Sequence, residues 1–174
     1  MIKTWTQILL SAVAFILLQV LVVNYIHLFG LVSPFIYIYI ILKLPLDLSP
    51  SRVIFASFLV GLAVDMFSNT FGMHAAACSL MGLARLPVAK LSIDMREMPD
   101  RPIPSYKMLG VVVFLRYAAP LVAIHHAALF AVDAFNLFQP VMLLQRFTFS
   151  FIASFLLLTA IEAFNLNQVK NSER

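Results

Sequence analysis

With 174 residues, of which 62% are hydrophobic and only 11% charged, the chain has too little polar surface to cover a water-soluble globule of its size. A mean hydropathy of +0.95 excludes an ordinary soluble domain and favours a single polytopic membrane domain over residues 1–174. The formal charge of +4 reports orientation in a bilayer rather than nucleic-acid binding, because the cations gather at the ends of apolar runs.

The apolar stretch 8–23 is long for a signal-peptide core, and no small-residue cleavage site follows it, so 7–27 is read as a retained first helix. A bilayer crossing needs roughly 20 apolar residues in a helix. Six segments approach this: 7–27, 30–43, 52–68, 71–91, 108–132 and 138–163. The second contains "FIYIYI" and alternates like a strand. An open strand leaves its backbone unsatisfied in lipid, so a helix is expected there, short enough to be tilted, partly re-entrant or covered by neighbours. The fold class expected is therefore an all-α integral membrane protein with six transmembrane helices, or five.

With six crossings, Lys3, Lys43, Arg52, Arg85, Lys90, Arg96, Arg101, Lys107, Lys170 and Arg174 share one side, and the opposite side receives no Lys or Arg. Both termini are expected on that cationic, cytoplasmic side. The stretch 85–107 mixes five cations with Asp94, Glu97 and Asp100, and Pro87, Pro99, Pro102 and Pro104 make it a poor helix after its start. It reads as a cytoplasmic surface loop, either a connector drawn to anionic lipid or a docking site for a cytoplasmic partner.

Asp65 stands in an apolar run 13 residues beyond Arg52, about 20 Å by helical rise, in the outer half of the bilayer. Ser57, Gly61 and Asp65 share a helix face, and their small neighbours let another helix approach. An unpaired charge there costs on the order of 3 kcal/mol, so a cationic partner is expected. The candidates are Arg116 and Arg146, both placed about 14–15 Å deep by counting inward from Lys107 and Asn136. Arg146 continues into Ser150 and Ser154 as a polar stripe facing the interior. Pro120 removes the hydrogen bond to the Arg116 carbonyl, leaving an acceptor for a neighbour or a bound molecule. Two readings of the three charges stand: a clamp that fixes helix packing, or the wall of a ligand or partner cavity.

His27, His74, His125 and His126 map to the outer side, with Asp133 nearby, but adjacent histidines diverge by roughly 100° on a helix, and no chelating pair such as HExxH occurs. They read as interfacial or hydrogen-bonded, with no metal. "HAAACSLMG", 74–82, reads as a close helix–helix contact after the turn at Asn69, Thr70 and Gly72. Glu162, Trp5, Tyr25 and Tyr106 suit the membrane interface. Cys78 is the only cysteine, so no disulfide frame exists. A Gly-rich phosphate loop, a nucleophile–base constellation and paired intramembrane aspartates are all missing from the sequence, which reads as non-enzymatic and without a cofactor.

At "GLAVDMFSNTFGMHAAACSLMGLAR", 61–85, the chain resembles the rod shape-determining protein MreD family. Gly61, Asp65, Ser68, Gly72 and His74 occupy the corresponding positions, whereas Arg116 and Arg146 do not carry over. The resemblance implies a non-catalytic scaffold subunit of the bacterial inner membrane, in the elongasome that performs peptidoglycan synthesis and sets cell shape. Its implied partners are membrane lipids and MreC, together with MreB, RodA and a penicillin-binding transpeptidase. The family's fold is similar to the substrate-binding subunits of vitamin importers, so a small-molecule-binding importer subunit is the alternative. Lipid handling, suggested by the kink expected at Pro120, is a third.

Overall fold

Among the residues described by a computed structural model (2–25, 32–96, 99, 102–134 and 139–172), the chain forms α1 (Ile2–Leu21), α2 (Ile38–Leu42), α3 (Pro50–Ser68), α4 (Met73–Ser92), α5 (Tyr106–Leu109), α6 (Val111–Asp133) and α7 (Pro140–Ser172), and no strand. His27, Glu97, Asp100, Arg101, Asn136 and Arg174 lie outside the described residues, as do the side chains of Lys3, Trp5, Asp133 and Lys170. Pro50–Ser68, Val111–Val132 and Pro140–Leu166 are long and apolar enough to cross a membrane, and Leu9–Tyr25 is a shorter apolar helix. The fold is all-α with membrane-spanning character.

The expected helix over 30–43 does not form. Residues 33–36 carry no regular secondary structure, and only α2, five residues long, is helical. The lipid objection to non-helical backbone fails here because the segment is enclosed by protein: every residue from Phe35 to Leu42 is at most 7% exposed. Side chains of neighbouring helices replace the missing helical hydrogen bonds. Gln19 donates to the Pro34 carbonyl at 3.0 Å and accepts from the Ile36 N–H at 2.8 Å. The Ser33 and Phe35 N–H groups donate to Ser150 Oγ at 3.0 Å and Ser154 Oγ at 2.8 Å. The polar stripe expected on α7 therefore faces inward and holds this non-helical passage.

These contacts define two ends of the bundle. Pro34 sits beside Gln19, whose neighbour Asn24 reaches Ser68 at the end of α3. Lys43, only nine residues on, meets Glu162 far along α7. The buried passage thus runs from the Asp65 end to the Glu162 end, and α3, α4, α6 and α7 follow it in alternating directions.

The most extensive packing joins α3 to α4, on the small-residue faces expected from sequence. A Cβ on Gly61 would stand 2.5 Å from Ala75 Cα and 2.6 Å from its N, and Gly82 packs against Ser57. Because the obstacle is backbone, no side-chain rotation relieves it. Gly61→Ala is expected to cost about 1–3 kcal/mol by forcing the helices apart, read as earlier loss of structure when SDS is titrated into detergent-solubilised protein.

Two expectations on proline differ in outcome. The Arg116 carbonyl freed by Pro120 is taken by a neighbour, the Ser92 hydroxyl at 3.2 Å. By contrast, 85–107 does not begin as a surface loop: α4 passes through the outward-facing Pro87 to Ser92, so Arg85 and Lys90 are helical and Arg85 is buried.

Candidate functional site

Helix α3 ends at Asn69, in the left-handed conformation at φ 54°, and α4 starts from Gly72 at φ 77°. A residue at the start of a helix ordinarily caps the next free N–H groups with its side chain. Gly72 has none, and Asp65 takes over from the preceding helix. Its Oδ1 accepts from the His74 N–H at 3.1 Å and from Thr70 Oγ1 at 2.5 Å, while Oδ2 accepts from the Ala75 N–H at 2.8 Å. The carboxylate is 4% exposed and meets the positive end of the α4 dipole.

This corrects the expected cation clamp. Both Asp65 oxygens are taken by the α4 corner, and neither arginine bonds to them. Arg116 is exposed and lies beside Ser92, at the far end of α4 from Asp65. Arg146 does lie at the Asp65 end. Because α7 starts at Pro140, Arg146 is six residues in, about 9 Å along the axis, shallower than the count from Asn136 implied.

The passage through the bundle brings three histidines together. Tyr37 Oη is 2.7 Å from His74 Nδ1 and 2.7 Å from His125 Nε2, and the Phe35 ring packs edgewise or tilted against His74, His125 and His126. His126 Nδ1 lies 2.8 Å from the Val122 carbonyl, so it carries a proton. In the neutral ring Nε2 then accepts from Ser154 Oγ at 3.0 Å, which in turn accepts from Phe35 N–H. Tyr37 has one proton for two imidazoles. His125 Nδ1 is buried without a partner, and a bare lone pair is tolerated there more readily than an orphan N–H. His125 therefore donates through Nε2, Tyr37 donates to His74 Nδ1, and the proton of His74 sits on Nε2. Among the described residues no three of His, Cys, Asp and Glu form a metal-binding group.

A cavity of about 570 Å³ opens at this same end. Ser68, His74 and Arg146 line it, together with Asn24, Ser33, Thr70 and apolar residues of α1, α3 and α6. Of the residues singled out from sequence, these three meet in one place. Gly61, Asp65 and Gly72 build the corner behind them, and Arg116 belongs to neither.

At the opposite end, two buried charges escaped the sequence reading. The Arg85 guanidinium, 3% exposed, donates to Tyr117 Oη at 2.8 Å, to the Pro45 carbonyl at 3.3 Å and to the Leu44 carbonyl. Glu162, expected at an interface, is 2% exposed. It accepts from Tyr39 Oη, from Lys43 Nζ at 3.1 Å and from the Tyr106 N–H at 3.0 Å. Burial, and then the Glu162 charge, raise the phenol of Tyr106 above its usual pKa. A signal for this cluster existed in the sequence: Lys43, Arg85 and Glu162 each interrupt an apolar run.

Compared with known proteins, the chain matches no family model, no curated protein and no solved structure.

Proposed function

We propose that this protein is a non-catalytic, multi-pass subunit of the bacterial inner membrane that binds MreC within the cell-elongation machinery, alongside MreB, RodA and a penicillin-binding transpeptidase. One observation supports the reading most. The residues that carry the resemblance to MreD, namely Gly61, Asp65, Ser68, Gly72 and His74, are not scattered but form a single corner, with Asp65 capping the helix that Gly72 starts. In this reading the chain makes six crossings, five by long helices and one by the buried passage to Lys43, with both termini cytoplasmic. The single span of MreC would lie on an outward apolar face such as that of Phe55, Leu62 and Met66 on α3, all exposed.

Two measurements test it. A tagged full-length chain is expected to carry MreC with it from detergent extracts, and its depletion in the native cell is expected to abolish control of cell width. Normal rods after complete depletion, in a cell with no second copy of the gene, would end the proposal.

The cavity favours a second reading, a small-molecule-binding subunit of a vitamin-type importer, since 570 Å³ lies within the range of ligand pockets. Protein purified alone would then release a vitamin-like molecule on heat denaturation, identified by mass spectrometry.

A further inference from the structure

Arg116 is a charge that neither the corner nor the cavity uses. It is exposed on α6, five residues after Val111 and so about 8 Å from the start of the helix. Its carbonyl accepts the hydroxyl of Ser92, the last residue of α4. Arg116 is therefore level with the end of a neighbouring helix, not deep in the bundle. Among the described residues its guanidinium makes no hydrogen bond or ion pair. Asp94, two residues past Ser92, has one oxygen on the Arg96 N–H at 3.1 Å.

Helical side chains lean toward the N-terminus, so the guanidinium hangs back over Val112, which is 70% exposed. Gly110 offers no side chain to cap the start of α6, and the first N–H groups there add partial positive charge. A permanent cation beside that positive end selects an anion.

Beyond Arg116 the same face of α6 is floored by methyl groups. Ala119, Ala123, Ala127 and Ala131 lie within about 60° of Arg116 around the helix, and the last two are exposed. The outward faces of α3 and α7 are bulky instead, with Phe55 and Met66 on one and Leu144 and Leu156 on the other. Small residues leave room for an extended acyl chain against the helix, and an arginine at the end of such a face reaches the level of the headgroups.

We propose that this face of α6 binds one anionic phospholipid, its phosphate on Arg116 and an acyl chain laid along Ala119, Ala123 and Ala127. The site is at the opposite end of the bundle from the cavity, and it does not rest on the elongation reading.

The test uses the full chain in neutral detergent and native mass spectrometry. Three probes are offered: dioctanoyl phosphatidic acid, dioctanoyl phosphatidylcholine and inorganic phosphate. Phosphatidic acid is expected to bind saturably at one molecule per chain, and the other two at least about tenfold more weakly. Arg116→Gln is expected to weaken phosphatidic acid by about tenfold or more. Arg52→Gln, which removes an exposed cation at the start of α3, is expected to leave it unchanged. Should Arg116→Gln not fold, Val112→Glu, which sets a carboxylate one turn from the guanidinium, is expected to give the same loss. Phosphatidylcholine binding as tightly as phosphatidic acid, or equal losses in the Arg116 and Arg52 variants, would overturn the proposal. So would phosphatidic acid binding unchanged in folded Arg116→Gln or Val112→Glu. Inorganic phosphate binding as tightly as the lipid would overturn the lipid assignment.

Discussion

Asp65→Ala is expected to destabilise the folded protein by about 3 kcal/mol, whereas Arg116→Ala should change stability by less than about 0.5 kcal/mol. The contrast follows from where the carboxylate bonds. Its removal strips the acceptor from two buried N–H groups at the start of α4 and from the Thr70 hydroxyl. An ordinary cap is worth about 1 kcal/mol, but here water cannot replace it. Asp65→Asn retains one acceptor oxygen and should fall between the two. Arg116 is exposed at the other end of α4, whereas a clamp between it and Asp65 would make the two alanine variants lose similar amounts. Unfolding in SDS–detergent mixtures measures all three, and equal losses for Asp65→Ala and Arg116→Ala would contradict the corner as the destination of that charge.

Glu162→Ala should cost more, about 3–5 kcal/mol, because it strands the half-buried ammonium of Lys43 and leaves Tyr39 and the Tyr106 N–H without their acceptor. Glu162→Gln keeps hydrogen-bonding capacity and loses the charge, and a smaller loss is expected. The informative experiment is the cycle with Lys43→Met. Removing both charges together should cost clearly less than the sum of the single changes, since the largest penalty in each single variant is the uncompensated partner. Strict additivity would show that the two residues act independently, contrary to their 3.1 Å separation.

Helical period and small-residue spacing carried much of this fold into view. The face of Ser57, Gly61 and Asp65 and the run 74–82 meet as expected, and the serines after Arg146 point inward. That Asp65 needed a partner was legible too. Its identity was not, because a backbone N–H carries no letter in the sequence, whereas Arg116 and Arg146 do. The alternation in "FIYIYI" was no guide to a strand: Tyr37 is already in the helical region, Ile38–Leu42 is helical, and every residue from Phe35 to Leu42 is buried. Cover by neighbouring helices, one of the arrangements a segment this short allows, is what the fold provides. His125 and His126 diverge as adjacent helical residues must, yet both are buried, because this central passage supplies Tyr37 and Phe35 beside them. Burial of Glu162 depends on partners more than 50 residues away, beyond the reach of any local pattern.

The threaded passage also dictates an order of events during synthesis. Its N–H groups at Ser33 and Phe35 are satisfied by hydroxyls 117 and 119 residues downstream, on α7, which leaves the ribosome after α1 to α6. Until α7 arrives, the nascent chain holds a non-helical segment whose polar groups neither oil nor its earlier neighbours can fully accept. The insertion machinery or water must shelter it meanwhile. A product that ends before Ser150 keeps the passage and its Gln19 contacts but leaves the Ser33 and Phe35 N–H groups without their acceptors.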